Sequence, residues 1–253
     1  ESACVLGVSV VCRTQELVEA CPLIMLSLPD EKAVRKVLFG RNGLGHICPS
    51  GTTILDSTTT SPEATERHAE RLGERGIRFV DIPLVGSSAE IAEGHAVVLA
   101  GISEQEADFV EVLKCFASKL FFLNGAGNAH RAKLIINLVL GANRLVLAEA
   151  LGLAAHCRMD VHRVLDILRQ SPAYSRVMDT KGPRMCQQEF EPPVARLAQH
   201  AKDVRLILEL AKSVGARTPV SRVHRSVLQE AIRNGLGGMD NSAIVKVFFG
   251  EKG

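Results

Sequence analysis

Along the first half of the chain, short apolar runs alternate with amphipathic stretches. Val8–Val11, Leu23–Leu28, Thr53–Leu55, Phe79–Ile82 and Ala96–Ala100 are mostly branched-aliphatic and end at Gly, Pro or polar clusters, which predicts strands. Between them, Thr14–Ala20, Glu31–Leu38 and Pro62–Arg75 repeat apolar residues every three or four positions with charges opposite, which predicts helices. The last opens at Ser61-Pro62, a capping residue followed by proline at the first helical position. Such alternation predicts a mostly parallel sheet covered by helices. The run Val97–Leu99 after Gly94 fits either an antiparallel strand or an edge.

From Gly127 onward the periodicity is helical and no further strand is predicted. One long helix should run from Asn128 to about Cys157, followed by Val161–Arg169, Arg196–Val214, Val220–Asn234 and Ser242–Phe249. Pro172, Pro183, Pro192-Pro193 and Gly235–Gly238 punctuate them. Within the long helix, Ala132–Ala142 is apolar on nearly every side, as in a helix buried between layers. Its longest uncharged run, Leu134–Asn143, is shorter than the ~20 residues that span a bilayer, so no membrane association is expected. The fold class is thus α/β: an incomplete Rossmann-like parallel sheet over residues 1–124, joined by the long helix to an all-α domain over residues 125–253.

Composition narrows the function. The 253 residues, 46% hydrophobic, are ample for one large or two modest cores. A net charge of +2 from 30 basic and 28 acidic residues offers no global field for nucleic acid. Aromatics at 4%, with no Trp and only Tyr174, exclude a base-stacking platform and leave an aliphatic core. The seven cysteines are never closer than eight residues, which excludes C-x-x-C redox and zinc signatures. They read as reduced thiols, implying an intracellular reducing compartment, cytoplasm or mitochondrial matrix. There is no H-E-x-x-H and no readable Ser/Cys–His pairing, so metal and triad chemistry are disfavoured.

What chemistry remains gathers at a few places. Lys133 lies at the start of an almost wholly apolar helix, with Asn137 one turn further on the same face. An ammonium there either snorkels to solvent or serves a function. Paired with Asn137 it could hold a carbonyl or hydroxyl oxygen and protonate it as hydride reaches carbon. Leu28-Pro29-Asp30, Asp56–Pro62 and Asp81–Ser88 each follow a predicted strand, where ligands of doubly wound sheets bind. Gly125-Ala126-Gly127 is a lone G-x-G, equally a weak phosphate cradle or a loop closing onto a helix.

Four of these segments, in order, resemble the β-hydroxyacid dehydrogenase family, which includes 3-hydroxyisobutyrate dehydrogenases. The family's leucine-proline turn corresponds to Met25–Asp30, its D-x-S-T-x-x-P to Asp56–Pro62, its G-x(5)-K-x(3)-N to Gly127, Lys133 and Asn137, and its K-D element to Lys202-Asp203. Similarity runs from about Gly7 to Phe249 and is closest to the glyoxylate/succinic semialdehyde reductases, in Gly127-Asn128-Ala129, Lys181-Gly182-Pro183 and Leu236–Asp240. The resemblance implies an NAD(P)-dependent enzyme that interconverts a small β-hydroxy acid and its aldehyde acid. By it, Lys133 is the proton donor and acceptor, and Asn137 and Thr58 contact a carboxylate-bearing substrate. Gly86 and Ser87 hold the carboxylate through backbone amides, and Leu28, Pro29, Thr59 and Lys202 line the cofactor. It favours NADP(H), with NAD(H) the alternative, and implies a homo-dimer or tetramer.

Two departures stand out. Val85 occupies the place of a family serine expected to touch substrate. Family members also begin with a strand, a G-x-G-x-x-G turn, a helix and a second strand, which this chain lacks. The expectation is an N-terminally truncated dehydrogenase, with a non-catalytic dehydrogenase-like oligomerisation or binding module as the alternative.

Overall fold

The computed structural model describes residues 9–249, and the chain divides between Lys133 and Leu134 into two units. The first unit runs α1 (Thr14–Ala20), β1 (Leu23–Leu26), α2 (Glu31–Phe39), α3 (Leu44–Ile47), β2 (Thr53–Asp56), α4 (Pro62–Gly73) and β3 (Arg78–Asp81). It continues through β4 (Leu84–Val85), α5 (Ser88–Ala92), β5 (Ala96–Ala100), α6 (Val110–Lys114) and β6 (Ala117–Phe122). Strands β1-β2-β3 are parallel, with Leu26, Asp56 and Asp81 level at their carboxyl ends.

The expected Ser61-Pro62 cap opens α4, and Asp30 caps α2 in the same way, a cap the sequence reading missed. Asp30 Oδ1 accepts from Ala33 N at 2.9 Å, and Ser61 Oγ accepts from Ala64 N at 3.2 Å with Pro62 following. All four residues of β2 are buried, as in a central strand covered on both faces. Alternation sends Ile54 into one cluster with Val34, Leu38, Leu72 and Phe79, and Leu55 into another with Val80, Ile82, Val98 and Leu113.

The run Val97–Leu99, open between two readings, is central. It lies in β5, antiparallel to β4 and parallel to β6. Strand β6 is missing from the sequence pattern because it is an edge: Ser118, Lys119 and Phe121 are exposed, so no clean alternation marks it. The short helices α3, α5 and α6 are also additions. The predicted strand at Val8–Val11 is corrected: Ser9, Val10 and Val11 form no strand and are exposed, while Val8 lies outside the described residues. Branched aliphatics favour extension, yet a strand exists only when its backbone is paired.

The second unit is helical. Helix α7 (Asn128–His156) starts in the first unit and runs unbroken into it, followed by α8 (Val161–Arg169), α9 (Arg176–Thr180), α10 (Gly182–Gln187), α11 (Leu197–Ser213), α12 (Pro219–Arg233) and α13 (Lys246–Phe249). Pro183, read above as punctuation, opens α10. The core joins Leu147 and Leu151 of α7 to Met185, Leu197, Val204, Leu228 and Ile244. One expectation needs amending, since by length and composition α7 does qualify as a membrane span. The uncharged-run criterion was too strict, and the expected burial of Ala132–Ala142 on nearly every side is corrected: Leu134, Asn137 and Gly141 are buried there, while Ile135, Val139 and Leu140 are exposed.

Two buried polar groupings interrupt this core. Asp240, fully buried, takes Lys181 Nζ at 2.9 Å on both oxygens, Ser242 N at 3.0 Å, Ser242 Oγ at 2.7 Å, Val194 N at 2.9 Å and Ala195 N at 3.2 Å. Nearby in the same unit, the His200 and His224 rings lie 4.9 Å apart, tilted by 47°, and a Cβ at Gly141 would meet both at 2.8 Å. Only glycine lets these imidazoles pack against α7.

Candidate active site

In the first unit the carboxyl ends of β1, β2 and β3 carry the sequence-nominated loops side by side. Ser57 N and Ser57 Oγ both donate to Leu26 O, at 2.9 and 2.8 Å, tying the turn after β2 to the end of β1. One residue on, Thr58 Oγ1 accepts from Leu28 N at 3.0 Å, and Thr58 N donates to Asp56 Oδ1 at 3.0 Å. Thr58 is therefore buried and spoken for, whereas Thr59 is half-buried and Pro29 exposed. Burial pushes the Asp56 carboxyl above its usual range, and the Thr58 hydroxyl and amide draw it partly back.

Helix α7 is anchored over the same strand ends by residues the sequence reading missed. Asp81, fully buried, accepts from Gly127 N through Oδ1 and from His130 N through Oδ2, both at 3.0 Å, so a carboxylate caps the helix from 46 residues away. Gly127 has φ 82°, and a Cβ there would stand 2.9 Å from Pro62 O. The G-x-G is thus a turn closing onto Asp81. His130, also fully buried, places Nε2 2.6 Å from Thr58 O and Nδ1 2.8 Å from Thr65 Oγ1. A carbonyl only accepts, so Nε2 carries the proton and Nδ1 is left for the threonine. Asp81, His130 and Thr65 lie far apart in the chain, and the sole hint was a histidine on an apolar helix.

One turn into α7, Lys133 Nζ donates to Leu84 O at 2.7 Å. Leu84 and Val85 form β4, with Val85 opposite Val97, so β4 brings Lys133 and the Gly86-Ser87 turn together. Gly86 is exposed at φ 155°. Ser87 caps α5: its Oγ accepts from Glu90 N at 3.2 Å, and its own N–H donates to Glu90 Oε2 at 2.7 Å.

The remaining nominated residues lie in the second unit. Asn137 Nδ2 donates to Asp203 Oδ2 at 3.1 Å, and Lys202 Nζ is 4.0 Å from Asp203 Oδ1. Leu134 of α7 packs on Leu206 and Ile207 of α11, which sets Asn137 beside the K-D pair. Among the described residues no cluster of His, Cys, Asp and Glu has a metal-binding arrangement.

Comparisons with known proteins identify the family. Residues 2–125 match the NAD binding domain of 6-phosphogluconate dehydrogenase, and residues 126–248 match a segment described as NAD-binding of NADP-dependent 3-hydroxyisobutyrate dehydrogenase. The chain is 30% identical over 236 residues to the 2-(hydroxymethyl)glutarate dehydrogenase of Eubacterium barkeri, covering 92% of this chain and 78% of that protein. It is also 30% identical over 244 residues to glyoxylate/succinic semialdehyde reductase 1 of Arabidopsis thaliana, covering 95% and 83%. Its fold superposes on the crystal structure of 3-hydroxyisobutyrate dehydrogenase from Salmonella typhimurium with a TM-score of 0.84, at 23% identity, over 92% of this chain and 82% of that one. With both halves matched and the ordered motifs on neighbouring strand ends and one helix, the chain belongs to the β-hydroxyacid dehydrogenase family of NAD(P)-dependent oxidoreductases.

Proposed function

We propose that this chain reduces a small aldehyde acid, or oxidises the corresponding hydroxy acid, with Lys133 exchanging the proton on the substrate oxygen. The observation that supports it most is the placement of Lys133. Its Nζ is held by Leu84 O on a helix locked by Asp81, beside the exposed Gly86 turn. A nicotinamide supplies or accepts the hydride when bound, NADP(H) being favoured by the description matched over residues 126–248. The exposed Pro29 and half-buried Leu28 and Thr59, on adjacent parallel strand ends, fit its nicotinamide end. The sequence contains no G-x-G-x-x-G turn for its diphosphate, so the fit is confined to that end. Lys202 is proposed as a further cofactor contact on the family resemblance alone.

In the reducing direction, the Lys133 ammonium keeps one donor on Leu84 O and turns another to the substrate carbonyl. Negative charge builds on that oxygen as hydride arrives, and the proton passes from Nζ to it. In the oxidising direction the neutral amine takes the proton back. Asn137, oriented by Asp203, is proposed to bind the same substrate, and the Gly86 and Ser87 amides its carboxylate. The Ser87 amide is held by Glu90 Oε2, so a carboxylate bound there would have to replace that contact. Thr58 holds the strand-end loop at Leu28, and its contact with substrate is proposed to be through the position of that loop. Five side chains of α7, namely Ile135, Val139, Leu140, Val146 and Leu153, are exposed, which supports assembly with further copies of the chain.

The test is NADPH-dependent turnover of glyoxylate and of succinic semialdehyde. Lys133→Ala should lower kcat roughly 10²–10⁴-fold while leaving cofactor affinity unchanged. Equal turnover by the two proteins refutes the proton role and favours the non-catalytic module.

A further inference from the structure

Away from the strand ends, the first unit carries a second concavity. It is an open cavity of about 440 Å3 between α2 and α4, lined by Glu31, Arg35, Phe39, Arg67, His68 and Arg71. That volume lies within the roughly 300–1,000 Å3 that small ligands occupy. Helical spacing builds the walls: Glu31, Arg35 and Phe39 stand four apart on α2, and Arg67 and Arg71 four apart on α4. Arginines on a helix with so many glutamates normally find carboxylates one turn away. Here Glu66 is taken by Arg131 at 2.6 Å, and no ion pair or hydrogen bond engages Arg35, Arg67 or Arg71 among the described residues.

The floor is built rather than incidental. His68 is 7% exposed, its ring 5.5 Å from Phe39 and 5.9 Å from Phe79, and its Nε2 lies 3.8 Å from Glu31 Oε1 without a hydrogen bond. The Arg71 guanidinium sits 4.1 Å above the Phe39 ring, which orients the fork while leaving its edge N–H groups unpaired. Three guanidiniums against one carboxylate leave an excess of positive charge over a buried imidazole that, among the described residues, only Glu31 approaches as an ion-pair partner, at 3.8 Å.

We propose that this cavity binds a small phosphorylated molecule carrying at least two negative charges. Guanidinium forks match phosphoryl oxygens two by two, and three of them around one cavity suit a ligand with more charge than a monocarboxylate. No residue here belongs to the Lys133 site, so this binding and the proposed reduction are separable.

Inorganic pyrophosphate is the probe, titrated calorimetrically into the whole chain at low ionic strength. Saturable binding at one site is expected, at least tenfold weaker in Arg67→Ser/Arg71→Ser and unchanged in Lys133→Ala. Arg67→Lys/Arg71→Lys should fall between, because it keeps charge but loses the fork. Sulfate at equal ionic strength should bind at least tenfold less tightly. Thermal melts of the variants establish that they fold, and pyrophosphate should shift the His68 ring resonances in the unmodified chain. Absent saturation, full affinity in the double serine variant, sulfate binding as tight as pyrophosphate, or an unmoved His68 signal would each overturn the proposal.

Discussion

Asp240→Asn is the substitution that should cost the helical unit most. The carboxylate is fully buried and receives two contacts from Lys181 Nζ, two backbone amides of Val194 and Ala195, and the amide and hydroxyl of Ser242. These donors, Ser242 N and Lys181 foremost, outweigh the burial that opposes ionisation and hold its pKa well below the usual carboxylate range. An asparagine replaces one acceptor oxygen by an NH2 group that faces donors on either side. It also leaves the Lys181 ammonium, itself only 12% exposed, without its counter-charge. Breaking a buried pair from one side costs about 3–5 kcal/mol. At about 2–4 °C per kcal/mol for a chain of this size, the transition should drop on the order of 10 °C. The chain has no Trp, and its single tyrosine, Tyr174, lies in this unit, so tyrosine emission follows its unfolding selectively. Lys181→Met combined with Asp240→Asn should restore part of the loss, because the Lys181 ammonium is then no longer buried without its counter-charge. A transition in Asp240→Asn within 1 °C of the unmodified protein refutes the reasoning.

The buried histidines make the same unit acid-sensitive. Burial, with Arg144 adding to it, lowers His224 from 6.5 to about 4 and His200 well below its usual range. A depressed histidine leaves stability complete above pH 6.5 and drains it as pH falls toward the folded value. His224 alone accounts for about 3 kcal/mol between pH 6.5 and 4, and His224→Leu should flatten that stretch of a urea-midpoint-versus-pH curve. In the first unit, Asp81→Asn turns an acceptor into a donor facing Gly127 N or His130 N, at a cost of roughly 1–3 kcal/mol. Because that carboxylate anchors the helix bearing Lys133, kcat should fall more than cofactor affinity. Equal effects on both would assign Asp81 to folding alone.

Periodicity in the sequence was enough to place β1, β2, β3 and β5 and the principal helices. Apolar runs of four or five residues and helical stripes follow from side-chain geometry along a single element. Lys133 was legible for a similar reason, as a charge on an apolar helix. Strand-end geometry nominated only the loops that hold Leu28, Thr59 and Gly86, and the roles expected of those residues came from the family resemblance.

What the sequence could not decide is what each backbone pairs with. Val8–Val11 has strand composition, yet Ser9–Val11 form no strand; β6 lacks the composition, yet β5 supplies it a partner. Asp81 illustrates the limit most clearly. Nothing local distinguishes it from any polar residue ending a strand, and its role arises from the amides of Gly127 and His130, 46 and 49 residues away. Local pattern selects the elements, because it is written in neighbouring side chains. The anchoring of Lys133 and the burial of Asp240 and His224 were decided by tertiary structure, because only packing removes those groups from water and chooses the partners that replace it.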